Sequence, residues 1–246
     1  MDNTLYVALS RQMILRRQMD VVANNIANSD TAGFKVEDII SETSPERLPV
    51  QPGSGSKNIQ FVLDTGLARD FAQGALMSTS SPFDIAIEGD AFFQINTARG
   101  ERFTRDGRFA TDQTGRLVTK MGEPVAGEGG AEISLDPLRG EPSIARDGVI
   151  SQEGEQVGKL AVYRFASLAG LAKDGDGLYR NDGNVAPELA TDVPLHQRTI
   201  ENSNVKPVIE VTRLIEVSRE YARISKLMDQ TAELDRKAIE RLGRVS

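Results

Sequence analysis

Apolar residues near the start of the chain recur at alternating spacings of three and four: Leu5, Ala8, Gln12, Leu15, Met19, Val22 and Ile26, with Gln12 the single polar member. That period marks a heptad seam along one face of a helix. Asn28, Ser29, Asp30, Thr31 and Gly33 follow, residue types that end helices in turns. The far end repeats the pattern through Leu214, Val217, Tyr221, Ile224, Met228, Thr231, Asp235, Ala238 and Leu242. Pro207 stands where a first-turn proline is tolerated, Ser203 or Asn204 can cap just upstream, and Gly243 can close the helix.

Between these ends the period changes. Short β-type runs appear at Ile85–Ile87, Phe92–Ile95, Arg102–Thr104, Arg108–Thr111, Leu117–Thr119, Ile133–Leu135 and Lys159–Phe165. Asp106-Gly107 and Asp147-Gly148 read as hairpin turns, and Thr114-Gly115 and Asp182-Gly183 are similar in kind. Residues 35–80 carry no assignable period, and the stretch Pro49–Ser56 reads as loop or extended linker. The predicted fold is α+β. An N-terminal helix (1–34), an extended region (35–80), an all-β body (81–200) and a C-terminal helix (201–246) follow in order. A short heptad helix is marginal alone in water. The two ends are therefore expected to pair as an antiparallel coiled coil and to turn their remaining apolar face to neighbouring copies. Gln12, Thr231 and Asp235 either set the register of that pair or lie on its solvent side.

Composition removes several function classes. At 246 residues the chain can hold one good-sized core with attached helices, and a net charge of −7 without a Lys/Arg run argues against nucleic-acid binding. Residues 1–34 carry three Arg and three Asp, and residues 208–246 carry eight Lys/Arg against seven Asp/Glu, so the negative charge sits in the middle. The chain has no cysteine, which rules out disulfides, thiolate chemistry and Cys-ligated zinc. No apolar run reaches the roughly 18 residues of a membrane span. Arg11, Gln12, Arg16 and Arg17 interrupt the N-terminal segment, which therefore does not read as a cleaved Sec signal.

Candidate chemistry is sparse. His196 stands alone, without a second His or any Cys to share a metal, and reads as structural. Asp174-Gly175-Asp176-Gly177 opens like a calcium loop, but Leu178 and Tyr179 stand where that loop needs an oxygen ligand and a tight-turn glycine. Gly154–Lys159 is one residue short of a phosphate loop, and Leu160 replaces the required hydroxyl. Asp84, Glu88, Asp90, Asp106 and Asp112 could supply a glycosidase pair only by converging across a cleft; most sit in turn contexts.

The run Asp20-Val21-Val22-Ala23-Asn24-Asn25-Ile26-Ala27-Asn28, followed by Thr31-Ala32-Gly33-Phe34-Lys35, closely resembles the N-terminal signature of the flagellar basal-body rod and hook proteins. Pro82–Phe93, Phe103–Phe109 with Asp112, Gly115, Arg116 and Leu117, and Glu201–Val205 resemble further stretches of that family. Met1-Asp2-Asn3 with Tyr6–Ser10 is more similar to its proximal-rod members than to its distal-rod members. The resemblance implies a structural subunit without catalytic residues, cofactor or metal. Such a subunit is exported unfolded through the flagellar type III apparatus and polymerises with copies of itself and other rod proteins in the periplasm. It implies terminal helices in the inner tube wall and a β-body facing outward, with neither nucleic-acid binding nor membrane insertion. Seams and signature together mark an expected assembly interface: Leu5, Leu15, Met19, Val22, Asn24, Asn25, Ile26, Asn28, Gly33 and Phe34 at one end. At the other end it comprises Ser203, Asn204, Val205, Leu214, Val217, Tyr221, Ile224, Met228 and Leu242. The rival readings are another axial protein of the same class, a β-domain peptidoglycan hydrolase, and a generic coiled-coil adaptor.

Overall fold

Both seams fold as helices in the computed structural model, which describes residues 2–46, 59–183 and 186–243. Helix α1 spans Asp2–Ala27 and helix α2 spans Pro207–Gly243. The stretch Pro49–Ser56 lies outside the described residues. The chain divides into two compact units. One comprises Met1–Ala27, Glu37–Asp70 and Lys206–Ser246; the other comprises Asn28–Val36 and Phe71–Val205. The chain therefore passes between the units four times, after Ala27, Val36, Asp70 and Val205.

In the helical unit α1 packs on α2. The predicted seams are the sheltered faces: Leu15, Val22 and Val217 are buried, while Met19, Ile26, Leu214, Tyr221, Ile224 and Met228 are half-buried. The first helical N–H groups of α2, from Ile209 and Glu210, donate to the Lys206 carbonyl. Ser203 does not cap the helix as expected; its hydroxyl accepts the Val205 N–H upstream of it. The unpatterned region supplies a long antiparallel ribbon, β1 (Glu37–Glu46) with β2 (Ile59–Arg69), whose register runs from Glu37↔Arg69 to Glu46↔Ile59. A bulge at Ile40/Ser41 interrupts it. Two strands alone are marginally stable in water, and α1 packs against both.

The β unit begins with β3 (Leu76–Ser78), β4 (Ile85–Ile87), β5 (Phe92–Thr97) and β6 (Gly100–Thr104). Its largest sheet has the spatial order Leu171–Lys173, Leu178–Asn181, β6, β5, Val162–Arg164, Glu188–Leu189. Successive side chains of a strand point to opposite faces, and β5 uses this to serve two cores. Phe93 and Ile95 join Ile85, Ile87, Phe109 and Ile150. Phe92 clusters with Phe103, Phe165, Leu171 and Tyr179; it meets Phe165 and Tyr179 edge to face, and Phe103 meets Phe165 in the same way with centroids 4.8 Å apart.

Two local expectations are corrected. Asp106-Gly107 is not a hairpin turn: Gly107 lies so close to the Ile85 carbonyl that a Cβ would come within 1.7 Å of its oxygen. Glycine there serves close approach, with the Ile85 N–H donating to the Gly107 carbonyl at 2.9 Å. Ile133–Leu135 is not a strand; Ile133 and Leu135 are buried but held by single bonds, Leu117 N–H to Ile133 O and Leu135 N–H to Gly115 O. Asp147-Gly148 and Thr114-Gly115 do join paired strands, Ser143–Ile144 with Val149–Gln152 and Ala110–Thr111 with Leu117–Val118. The abortive phosphate-loop sequence is part of a hairpin, in which Glu153 and Gly154, both at positive φ, join Val149–Gln152 to Glu155–Lys159.

Candidate functional site

Each unit carries a polar junction at the places where the chain crosses. In the helical unit the centre is Asn25, the middle of the three signature asparagines, whose side chain is fully buried. Its Nδ2 donates to the Glu37 carbonyl at 2.8 Å, and its Oδ1 accepts the Glu37 N–H at 3.0 Å. A primary amide presents the same donor and acceptor as a peptide group, so Asn25 meets the first residue of β1 as a strand neighbour would. Its Nδ2 also donates to Glu210 Oε2 at 3.1 Å, tying in the first turn of α2. The Glu37 carboxylate accepts Arg69 Nε at 2.7 Å and fastens the end of β2. Both carboxylate oxygens of Asp38 accept Arg213 Nη2, and Oδ1 also accepts the Ile39 N–H. The end of α1, the start of β1, the end of β2 and the start of α2 thus meet in one network.

The β unit has the corresponding arrangement around Glu201. Oε1 of Glu201 accepts Lys35 Nζ at 2.5 Å and the Gly74 N–H at 2.9 Å, Oε2 accepts Arg105 Nη1 at 3.3 Å, and its carbonyl accepts the Gly33 N–H at 2.8 Å. Lys35 also donates to the Ala72 carbonyl, and Asn204 accepts the Val36 N–H while donating to the same Ala72 carbonyl. Lys35, Glu201 and Arg105 are each no more than 2% exposed. Two cations therefore share one carboxylate out of contact with water. Arg105 lies over the Phe92 ring, 5.0 Å from its centroid, and its Nε makes no hydrogen bond. Burial pushes the Arg105 guanidinium below its ordinary value, and Glu201 opposes that shift.

Gly33 explains its own place in the signature. Its φ is +70°, and a Cβ would lie 2.5 Å from the Asp106 nitrogen. No L-residue fits both the conformation and the space. Phe34 beside it is buried, with Lys173 Nζ 4.7 Å from its ring centroid.

The expected interface residues thus fall into different settings. Asn25, Gly33, Phe34, Ser203 and Val205 are buried, Asn28 and Asn204 half-buried, and Asn24 exposed. Asn28 accepts the Thr31 N–H and hydroxyl in the turn after α1. The side chains of Leu5 and Leu242 lie outside the described residues. Sequence reading missed Glu37, Glu210 and Arg105 as junction members, since lone charges in mixed sequence carry no signal of burial. It also missed exposed apolar residues beside the seams: Tyr6, Leu9 and Met13, each one position after a seam residue of α1, and Val208, Val211 and Ile215 in the first turns of α2, are 44–80% exposed. These stripes were legible as the same three–four spacing.

Of the carboxylates considered for catalysis, Asp84, Glu88, Asp106 and Asp112 are engaged locally. Asp84 accepts the Thr79 hydroxyl, Asp106 binds Arg108 through both oxygens, and His196 Nε2 lies 2.6 Å from Glu88. The Thr114 hydroxyl, with Arg116, holds Asp112 well below the usual carboxylate range. Asp174 of the calcium-like run turns between Leu171–Lys173 and Leu178–Asn181 and accepts Arg102 Nε at 2.6 Å. That bond, reinforced by Arg99 and Arg180, depresses the Asp174 pKa. A depressed carboxylate contributes stability that is present above its unfolded pKa and is lost as pH falls through its folded value. Acidification from pH 7 to pH 3 is expected to lower the urea midpoint of the native chain more than that of Asp174→Asn; equal losses would remove Asp174 from the account.

Three family models match the chain: "Flagella basal body rod protein" over residues 5–35, "Flagellar hook protein FlgE/F/G D1 domain" over 86–152, and "Flagellar basal body rod FlgEFG protein C-terminal" over 196–241. The flagellar basal-body rod protein FlgF of Caulobacter vibrioides is 50% identical over 246 residues, covering 100% of both chains. The chain belongs to the flagellar basal-body rod protein family. Among other rod proteins, the FlgF of Mesorhizobium japonicum is 40% identical over 99% of each chain. A FlgG from Buchnera aphidicola is 32% identical over 88% of this chain and 90% of its own. The higher full-length identity sets this rod protein with the FlgF group. It is a structural subunit of the proximal rod of the flagellar basal body, not an enzyme. The matched N-terminal segment contains Asn25, Gly33 and Lys35, so the family signature falls on junction residues of both units.

Proposed function

We propose that this rod protein assembles through α1 and α2, paired as an antiparallel coiled coil, into the drive shaft that transmits torque for motility. The observation that carries this reading is the order of contacts between the helices. Arg11 bonds Glu220 at 2.8 Å and Asn25 bonds Glu210, so one residue number falls as the other rises. The sheltered seams and the exposed stripes beside them support a pair that satisfies itself on one face and offers another. The partners are copies of the chain, the other proximal-rod subunits and FlgG-type rod proteins. The location is the rod within the periplasm, reached through the flagellar type III export apparatus without a cleaved Sec signal. In this reading residues 1–34 and 201–246 build the tube, with the β-rich residues 81–200 as a separate domain.

A shortened chain lacking residues 208–246, supplied as the cell's sole copy, tests this. The expected result is secreted or degraded protein, basal bodies without the subunit, and non-motile cells. Purified basal bodies that retain the shortened chain would show that the helices are not the assembly element.

A further inference from the structure

One loop of the β unit, residues 136–140, holds an apolar side chain almost wholly in water: Leu138 is 96% exposed. A single exposed leucine is ordinary on a protein surface, but the loop that carries this one is built to hold it. Gln152, buried, commits its whole amide to the loop. Its Oε1 accepts the Asp136 N–H at 2.9 Å, and its Nε2 donates to the Asp136 carbonyl at 3.2 Å and to the Gly140 carbonyl at 3.1 Å. The Arg139 N–H closes the turn on the Asp136 carbonyl, and the Leu138 N–H donates to Asp136 Oδ1. Arg139 Nη1 bonds Glu155 at 2.6 Å. The loop is fixed at both ends, yet the side chain at its tip covers none of the chain's own core. Ordering a loop costs conformational entropy, and one ordered beforehand loses less when a partner binds.

We propose that Leu138 is a preformed anchor that seats in an apolar pocket, rimmed by Lys or Arg side chains, on a protein other than this chain. Charge sets the rim. The bond with Glu155, with the charges of Glu153 and Asp136 behind it, holds the Arg139 guanidinium above its ordinary value. Three carboxylates thus surround the one cation of the loop, and a basic rim complements the excess. Size and charge together set the partner apart from the β unit of a second copy. The hollow in that unit lined by Leu160, Val162, Leu189 and Leu195 encloses about 10 Å³, room for one water and not for a leucine side chain. Glu128 and Asp147 line it too, so it presents carboxylates to an acidic loop. Residues 71–205 carry 20 Asp/Glu against 13 Lys/Arg, so two β units repel each other. The assembly proposed through α1 and α2 makes no use of this loop, and the anchor stands apart from that reading.

Gly140 offers an attachment point for a test, because a side chain added there meets open space and Leu138 stays in place. Cells whose sole copy carries the photo-cross-linking residue p-benzoyl-phenylalanine at position 140 are irradiated whole. Adducts of the chain are recovered under denaturing conditions and mapped by mass spectrometry. The expected result is an adduct at a single site on one other protein. Its yield should fall several-fold when Leu138→Asp is added, and several-fold again when Glu153→Lys is added instead. The second change leaves Gln152 and Glu155 on the loop and alters only the charge beside it. No adduct, adducts only to copies of this chain, or a yield that ignores Leu138→Asp would overturn the anchor. A yield unchanged by Glu153→Lys would overturn the basic rim and with it the partner proposed.

Discussion

Glu201→Gln is expected to destabilise the β unit by about 3–5 kcal/mol, the cost of leaving a buried charge without its counter-ion. The substitution keeps the shape of the side chain and removes the carboxylate that both Lys35 and Arg105 bond. Lys35→Met gives the decisive comparison. It leaves Arg105 and Glu201 as a balanced pair, and methionine fills the volume of the lysine stem, so the loss should be clearly smaller. Denaturation followed by tyrosine absorbance reads the β unit, which holds Tyr163 and Tyr179, although Tyr6 and Tyr221 of the helical unit contribute a background. If Lys35→Met costs as much as Glu201→Gln, the excess of positive charge is not what Glu201 answers.

Asn25→Asp is expected to cost the helical unit about 3 kcal/mol or more. It keeps the size of the side chain but replaces the donor that reaches both the Glu37 carbonyl and Glu210 with an acceptor. A new carboxylate then faces an existing one in a buried site, combining lost bonds with like-charge repulsion. Asn25→Ala loses the same bonds without the repulsion and should fall between Asp and the native residue. Both helices belong to this unit, so helical circular dichroism reports on it. Two units make a single two-state transition an unsafe assumption, and each variant is therefore read by the probe of its own unit. An Asn25→Ala chain within about 0.5 kcal/mol of the native one would show that the side chain merely ends the helix.

Those two results bear on how much of the architecture the sequence displays. The helices were legible because a heptad seam is a local, periodic signal, and Leu15, Val22 and Val217 are buried where the period places them. The cores of β4 and β5 were legible because Ile85, Ile87, Phe93 and Ile95 form dense apolar runs. The ribbon of β1 and β2 was not. Glu37, Asp38, Glu42 and Glu46 make β1 look like a solvated segment, and its pairing partner begins thirteen residues after it ends, at Ile59. Asp106-Gly107 misled for a related reason: the dipeptide suits a hairpin, but its glycine is fixed by Ile85, more than twenty residues away in the chain. The junctions sit between these extremes. Asn25, Gly33 and Glu201 stand in recognisable motifs, but their partners Glu210, Arg105 and Gly74 come from distant segments that no period connects.

In the proposed assembly the terminal helices divide their labour: the seam holds the chain's own pair together, and the exposed stripe beside it holds the neighbours. Met13 is 66% exposed and belongs to the stripe. The most direct measurement combines thermal denaturation of purified Met13→Asp protein with its quantity in basal bodies from cells carrying it as the sole copy. The account predicts denaturation within about 0.5 kcal/mol of the native chain and loss of the subunit from basal bodies. Normal incorporation, or a chain that unfolds before it can assemble, would contradict it.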